Sequence, residues 1–259
     1  MSILDECADY AKLRSHQNQK NISLEVLKAQ AYALPKGQFE FEKALKKKEL
    51  AFICEVKKAS PSKGIIAEDF DYLQIAQDYE KAGADCISCL TEPKWFYGSD
   101  LYLKEIVKTV SIPVLRKDFT VDDYMIYEAK VLGAQAILLI CAILSETQIK
   151  DYLKIADDLG LSTLVEAHDE KEIEMALRCK ARIIGVNNRN LKDFSVNTNN
   201  SAQLRNLVSK DILFVSESGI SNVEDIKAVK KMGADAVLIG EALMKAPDKT
   251  QKLQELKGL

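Results

Sequence analysis

From residue 51 onward, short apolar runs alternate with amphipathic stretches, and this rhythm repeats eight times. Apolar runs this continuous are typical of strands buried on both faces, as in a parallel sheet. Eight such units in about 210 residues favour a closed (β/α)8 TIM barrel over an open doubly wound sheet. No G-x-G-x-x-G motif follows the first run, which weakens a dinucleotide-binding alternative. The predicted strands span residues 51–57, 86–91, 113–118, 136–141, 162–167, 182–187, 213–218 and 236–241.

Glycines mark the ends of several predicted helices. Gly83, Gly133 and Gly233 each follow an amphipathic stretch and precede a strand. A glycine there is the usual left-handed helix stop, because it has no Cβ to clash. These signals agree with helices that return the chain from each strand to the next.

Residues 1–48 do not follow this alternating pattern. They show helical periodicity over 23–34 and the start of a further short helix over 41–50, and no strand is evident. We therefore predict one (β/α)8 barrel domain over residues 1–259, of which 1–48 is a helical N-terminal extension. Its apolar residues need a surface to cover, so we expect the extension to fold over the barrel mouth. The residues that prompt this expectation are Leu24, Leu27, Phe39 and Phe41.

Composition excludes several classes of protein. Of the 259 residues, 47% are hydrophobic, which is enough for a sizeable core, and the net charge of −3 argues against a nucleic-acid partner. The longest apolar run, residues 136–144, is too short to cross a bilayer, and the charged first residues do not resemble a secretory signal. Cys86 and Cys89 have C-x-x-C spacing but no second pair, so we expect no metal. A reducing cytoplasm is the expected location.

Charged side chains cluster where the predicted strands end. Glu55 and Lys57 lie two residues apart on one strand and so face the same side. Alone, they could form an ordinary strand-end salt bridge. Barrel enzymes, however, place their active sites at the carboxyl ends of the strands, and five strands carry charges there, which favours a catalytic site. The other polar residues at these ends are Thr91, Glu92, Arg116, Lys117, Asp118, Glu166, His168, Asn187, Asn188, Arg189, Glu217, Ser218 and Glu241.

Two glycine-containing loops predict a phosphate site. Ser218 and Gly219 follow the seventh strand, and Gly240 follows the eighth. Loops at these two strands commonly bind phosphate in barrels, and glycine lets backbone N–H groups approach an anion. Ser60 and Lys63 could add a hydroxyl and a charge.

An aromatic cluster leaves two interpretations open. Trp95, Phe96 and Tyr97 follow the second strand, and Phe119 follows the third. These rings could pack over the barrel mouth, or they could form an apolar wall for a flat substrate ring.

Eight motifs in this order and spacing resemble the indole-3-glycerol-phosphate synthase family of tryptophan biosynthesis. The resemblance covers nearly the whole chain from about residue 41. Other phosphate-binding barrels share the glycine loops but not the combination of EVKKASPS, LRKDF and NNRNL. The motifs are FICEVKKASPSKG, LTEPKWFYGS, PVLRKDF, ILLI, LVEAHD, GVNNRNL, SESGI and LIGEALM.

The resemblance implies a carboxy-lyase that converts 1-(2-carboxyphenylamino)-1-deoxyribulose 5-phosphate to indole-3-glycerol phosphate, carbon dioxide and water, without metal or organic cofactor. By the same resemblance, Lys117 is the general acid in ring closure and Glu166 the base in dehydration. Glu55 is the supporting carboxylate, Lys57 the cation near the anthranilate carboxylate, and Asn187 orients the catalytic groups.

The resemblance also implies the binding residues. Arg189 orients the substrate, and Glu241, where some relatives have serine, is expected to offer only its backbone N–H. Partners are expected to be limited to the small phosphorylated substrate, with a monomer that could associate with other tryptophan-pathway enzymes. The ring pocket comprises Phe96, Phe119 and Leu138, and the phosphate grip comprises Ser60, Ser218, Gly219 and Gly240.

Two other functions compete with the synthase interpretation. Another phosphosugar barrel, such as an Amadori-type isomerase, would leave the aromatic pocket unused. A barrel retained as a binding module would carry neutral residues at the rim, whereas here the charges are present.

Overall fold

The structure, a computed structural model, describes residues 2–47, 49–190 and 194–259. Two predicted features extend outside the described residues. These are Lys48, within the helix predicted over 41–50, and Leu191, within the GVNNRNL motif.

Eight parallel strands close into a barrel in which each pairs with its neighbours in chain order and the eighth returns to the first. This confirms the predicted (β/α)8 barrel. The strands are β1 (Ala51–Val56), β2 (Cys86–Leu90), β3 (Val114–Lys117), β4 (Ala136–Ile140), β5 (Ser162–Ala167), β6 (Ile183–Asn187), β7 (Leu213–Glu217) and β8 (Ala236–Ile239). A short hairpin, Ala59–Ser60 with Gly64–Ile65, follows β1.

Helices precede the barrel and link its strands. Three come before β1: α1 (Ile3–Asn21), α2 (Leu24–Ala33) and α3 (Glu40–Leu45). The others are α4 (Tyr72–Lys81), α5 (Asp100–Thr109), α6 (Asp123–Leu132), α7 (Glu146–Leu159), α8 (Glu170–Arg178), α9 (Asn199–Arg205), α10 (Val223–Met232), α11 (Glu241–Lys245) and α12 (Lys249–Lys257).

Local chemistry fixes where these helices begin and end. Side chains such as Asp122 and Ser145 cap helices by accepting backbone N–H groups of the first turn. The three glycines predicted as helix stops all have positive φ, between 80° and 95°. Glu241, predicted as the last residue of a strand, instead begins α11, because the chain turns directly after Ile239.

Alternate strand residues fill the barrel interior. Ile53, Leu115 and Leu164 belong to this inner core. Cys86 lies in the same core, whereas Cys89 lies in the layer between strands and helices. Residues three apart on a strand face opposite sides, so these two thiols cannot bind one ion together.

The three N-terminal helices reach different parts of the barrel. Helix α3 closes the amino-terminal end, where Phe41 and Leu45 are fully buried in the inner core. It is shorter than the predicted 41–50 helix, since Lys46 and Lys47 offer no apolar side chain to bury. Helix α2 packs along α6, and α1 lies against the opposite, carboxyl-terminal end.

Candidate active site

A pocket opens at the carboxyl-terminal end of the barrel and gathers most of the predicted site residues. The catalytic candidates Glu55, Lys57, Lys117, Glu166 and Asn187 all line it. Six of the predicted binding residues line it too: Ser60, Phe96, Phe119, Leu138, Arg189 and Ser218. Leu238 of the last strand, β8, lines the pocket together with Glu55 of the first, so residues far apart in the sequence form one site.

Strand β1 contributes an ion pair. Lys57 Nζ lies 2.5 Å from Glu55 Oε1, and Ser88 donates to the other carboxylate oxygen at 3.4 Å. Burial opposes ionisation of Glu55, but the Lys57 and Lys117 cations hold its pKa below the ordinary value. Gly240 is required beside this pair, because a Cβ there would overlap the Glu55 carboxylate. Gly240 thus makes room for charged side chains, a role that the sequence did not predict.

Lys117, at the end of β3, lies between two buried carboxylates. Its Nζ is 3.4 Å from Glu166 Oε2 and 3.5 Å from Glu217 Oε2. Burial disfavours the ammonium, yet the two carboxylates overcome this and raise the pKa of Lys117 above its ordinary value. The two carboxylates therefore favour the protonated, cationic form of the side chain.

The two carboxylates differ in their surroundings. Glu166 also receives the Asn187 amide at 3.3 Å, and Lys117 and His168 together hold its pKa below the ordinary value despite burial. Burial raises the pKa of Glu217 to about 8. The nearby Glu166 and Glu55 carboxylates raise it further, whereas the Lys117 cation lowers it. Glu166 is thus held ionised as a base, while Glu217 binds a proton more readily than Glu166 does.

Glu217 was noted at a strand end but was not predicted as a site residue. It continues the inward alternation of Leu213 and Val215 along β7. On the neighbouring strand β6, Gly185 pairs with Val215 and lacks the Cβ that would collide with Glu217 Oε1. A glycine inside a strand was the available signal that a neighbouring side chain needs the space.

A second group of residues forms the end of the pocket predicted to bind phosphate. Ser60, Arg189 and Ser218 line it, and Ser218 and Gly219 have left-handed backbones with φ of 66° and 78°. The Asn188 side chain fixes this turn by donating to the Ser218 carbonyl at 3.1 Å. The backbone N–H groups of the turn are thereby held in place.

Glu241 lines the pocket, and neighbouring cations hold its carboxylate, while the expectation that only its backbone N–H faces the substrate phosphate stays a prediction. Arg189 Nη2 lies 3.3 Å from Glu241 Oε2, and Lys63 Nζ lies 3.8 Å from Oε1. Lys245 donates to Oε1 at 2.7 Å. Three cations stabilise the carboxylate at this position.

Two rings of the aromatic cluster line the pocket, as an apolar wall for a substrate ring would, and a third packs against a helix over the barrel mouth. Phe96 and Phe119 line the pocket with ring centroids 6.1 Å apart, beside Leu138. Trp95 instead packs edge-on against Tyr10 of α1. The loop is fixed by the buried Glu92, whose carboxylate accepts the backbone N–H groups of residues 94–96.

Helix α1 covers part of the mouth. Ile3, Leu4 and Cys7 line the pocket, and none of them was predicted as a site residue. Arg14 fastens the helix through two hydrogen bonds to Asp118, at 2.6 and 3.2 Å. The residues that prompted the expectation of a covering extension lie elsewhere: Leu24 and Leu27 on the barrel side, Phe41 in the closed end, and Phe39 against Arg182.

Comparison with known proteins identifies the family. The family model described as indole-3-glycerol phosphate synthase matches residues 4–256. The chain belongs to the indole-3-glycerol phosphate synthase family. Curated members named indole-3-glycerol phosphate synthase include one from Ruminiclostridium cellulolyticum, 57% identical with 99% of each chain covered. Another, from Endomicrobium trichonymphae, is 53% identical over 98% of this chain and 99% of its own.

Solved structures with low sequence identity share the fold. A 3-hexulose-6-phosphate synthase superposes with a TM-score of 0.64 at 17% identity, covering 81% of this chain and 99% of its own. A thiamine phosphate pyrophosphorylase from Pyrococcus furiosus gives 0.62 at 17% identity, covering 84% and 96%. These likenesses concern the barrel alone.

Membership of the indole-3-glycerol phosphate synthase family establishes the activity. The enzyme is a decarboxylating lyase of tryptophan biosynthesis that closes the indole ring of 1-(2-carboxyphenylamino)-1-deoxyribulose 5-phosphate with loss of carbon dioxide and water. Its substrate is a small phosphorylated molecule. Within the described ranges, no helix is both long and apolar enough to span a membrane.

Proposed function

We propose that Lys117 is the general acid and Glu166 the general base of this synthase reaction. One observation supports both roles: a single ammonium lies between two buried carboxylates whose pKa values are displaced in opposite directions. Such divergence is characteristic of sites that must give and take protons at one pH.

Ring closure requires the acid. As the aromatic carbon attacks the ketose carbonyl, negative charge develops on the carbonyl oxygen and must be neutralised. Lys117 projects into the pocket beside Leu138, where an aromatic ring would lie against the apolar wall. Its proton passes to that oxygen, while its two carboxylate neighbours keep the amine in place.

Loss of carbon dioxide then restores the aromatic ring. We propose that Lys57 holds the substrate carboxylate until it leaves, and that Glu55 keeps Lys57 aimed into the pocket through the 2.5 Å ion pair. An ion pair oriented this way costs little reorganisation at the moment of reaction.

Dehydration requires the base. The hydroxyl group made by ring closure leaves as water with a proton from the Lys57 ammonium, which is free once carbon dioxide has left, and Glu166 removes a proton from the substrate carbon to complete the indole. Asn187 orients this step, because its amide donates to Glu166 at 3.3 Å while its oxygen accepts the backbone N–H of Arg189 at 3.0 Å. Asn187 therefore links the base to the phosphate end of the pocket.

Substrate binding divides between two ends of the pocket. The anthranilate ring is proposed to lie against Phe96, Phe119 and Leu138. The phosphate is proposed to bind Arg189 together with hydroxyl and backbone N–H groups. The residues that supply those groups are Ser60, Ser218, Gly219 and Gly240.

Direct assay tests this proposal together with metal independence. After exhaustive chelation, the purified protein is expected to convert the carboxyphenylamino-deoxyribulose phosphate at its usual rate, followed by indole fluorescence. The proton donors and acceptors described here suffice for each step, so chelator should have no effect. Loss of turnover that a divalent cation restores would contradict the proposal.

Glu241→Gln is expected to lower the KM for the phosphorylated substrate about two- to fivefold, the factor expected when a partly exposed ion pair is removed. The carboxylate competes for Arg189 and Lys63 and repels the phosphate, whereas the amide does neither. The measurement is KM at low ionic strength. Glu224→Gln, which removes an exposed acid of α10, is the matched control. An increase in KM would show that Glu241 positions Arg189 instead.

We further propose that residues 1–259 form one domain that acts as a cytoplasmic monomer, alone or in association with other tryptophan-pathway enzymes. The single domain is supported by one closed barrel and by a family model that spans residues 4–256.

A further inference from the structure

We propose that His168 is a positioning residue that keeps Glu166 ionised and oriented, as a cationic link between Glu166 and Glu172. The inference rests on the proposed role of Glu166 as base. The His168 side chain lies one residue beyond β5, so it shares the inward face of that strand with Glu166.

Both ring nitrogens of His168 face carboxylates. Nδ1 lies 3.1 Å from Glu172 Oε2, and the same oxygen accepts the His168 backbone N–H at 2.8 Å. Nε2 lies 3.3 Å from Glu166 Oε1, close enough for an ion pair but out of line for a hydrogen bond. The outer carboxylate therefore fixes the ring and holds Nε2 within ion-pair distance of the base.

The outer carboxylate is itself held rigidly. Glu172 belongs to the first turn of α8, where its N–H donates to the capping Asp169 side chain at 2.9 Å. Asn200 donates to the His168 carbonyl at 3.0 Å and holds the backbone from the other side. Helix α8 thus holds the imidazole through Glu172, and the first turn of α9 holds the His168 backbone through Asn200.

His168 also divides two environments. It lines a second, polar cavity that Glu166 does not line. Its side chain is 19% exposed and that of Glu166 is 2% exposed. The imidazole, which is partly exposed to the second cavity, therefore places a positive charge beside a carboxylate that is almost completely buried.

The need for a second cation follows from the proposed chemistry. Once Lys117 has given its proton to the substrate, it is neutral and no longer stabilises Glu166. Glu166 would then face Glu217 and Glu55 without a counter-charge, and its pKa would rise. Two carboxylates raise the pKa of His168 to about 10 against the effect of burial, so its charge persists through this step.

Other charged groups lie around Glu166 and His168, but none of those described takes over the stabilisation of the Glu166 carboxylate by His168. Lys117 is shared with Glu217, and Arg189 is engaged by Glu241. The charged or titratable groups that face Glu166 or His168 from neighbouring elements are Glu55, Lys57, Lys117, Asp169, Glu172, Arg189 and Glu217.

The test is the pH dependence of kcat in His168→Asn, because this profile reports the groups that titrate in the enzyme–substrate complex. Loss of the cation should raise the pKa of Glu166 and move the acid limb of the profile upward by about one unit or more, the shift expected of an opposite charge at this distance. KM should change little. Glu172→Gln keeps a hydrogen-bond acceptor for the ring but removes the outer charge, and should move the limb in the same direction by less. His16→Asn makes the same change at the other histidine of the chain, which is exposed, and should leave the profile in place.

Each result is decisive when Glu166→Gln is measured in parallel. Near-normal turnover in Glu166→Gln would overturn the assignment of the base itself. If Glu166→Gln is inactive but the acid limb stays in place in both His168→Asn and Glu172→Gln, only the role of His168 is overturned. A uniform loss of rate at every pH, with far-UV circular dichroism unchanged, would likewise mean that His168 is merely structural. Should His168→Asn not fold, Glu172→Gln carries the same test.

Discussion

Replacement of Lys117 by methionine is expected to lower kcat by about 10²–10⁴-fold, the usual contribution of a positioned proton donor. Methionine keeps most of the side-chain volume while removing the ammonium that lies 3.4 and 3.5 Å from the two carboxylates. Ring closure then has no donor for the carbonyl oxygen. The measurement is single-turnover indole fluorescence at saturating substrate.

The Lys117 result needs a folding control. Removing the ammonium leaves Glu166 and Glu217 without their shared cation, so both should bind protons more readily. Circular dichroism and the thermal midpoint distinguish this from unfolding, and Lys227→Met, at an exposed ion pair of α10, provides the matched surface change. A folded Lys117→Met protein with a rate within tenfold of the parent would refute the assignment.

Glu166→Gln is expected to reduce indole formation by a similar factor, but at a later step. Glutamine keeps the shape of the side chain and can still contact Asn187, yet it cannot accept a proton from the substrate. Carbon dioxide leaves before the base acts, so the rate of carbon dioxide release should exceed the rate of indole formation in this variant. In Lys117→Met, release of carbon dioxide and indole formation should fall together.

Substrate labelled at the carboxyl group distinguishes the two steps. Quenched samples give labelled carbon dioxide, and fluorescence gives indole from the same reaction. Equal losses of both signals in Glu166→Gln would mean that Glu166 acts in ring closure and that the base of dehydration lies elsewhere.

The strand rhythm predicted the barrel because burial on both faces leaves a continuous apolar run that local sequence displays directly. The rim charges followed from the same strands, since their carboxyl ends meet at one end of the barrel. Glu55, Lys57, Lys117 and Glu166 were found for that reason. Their partners in space, however, come from register and closure, and the prediction did not include the sharing of Lys117 by Glu166 and Glu217.

The N-terminal helices show what periodicity does not determine. An apolar stripe indicates that a helix buries one face, but it does not say which surface the face covers. Leu27 and Phe41 looked alike in sequence, yet one packs outside the barrel and the other fills its closed end. Leu4 and Cys7 of α1 gave no chemical signal and nevertheless line the pocket.

The plug formed by Phe41 and Leu45 makes the catalytic chamber a dead end. In the part of the chain that the structure describes, the pocket opens at the carboxyl-terminal end beside α1, and substrate and products are expected to cross that opening. Turnover therefore depends on product release as well as on chemistry. The product must leave by the route through which the substrate entered before the next substrate can bind. A slow movement of α1 would delay entry and exit alike, and would leave the proton transfers inside untouched.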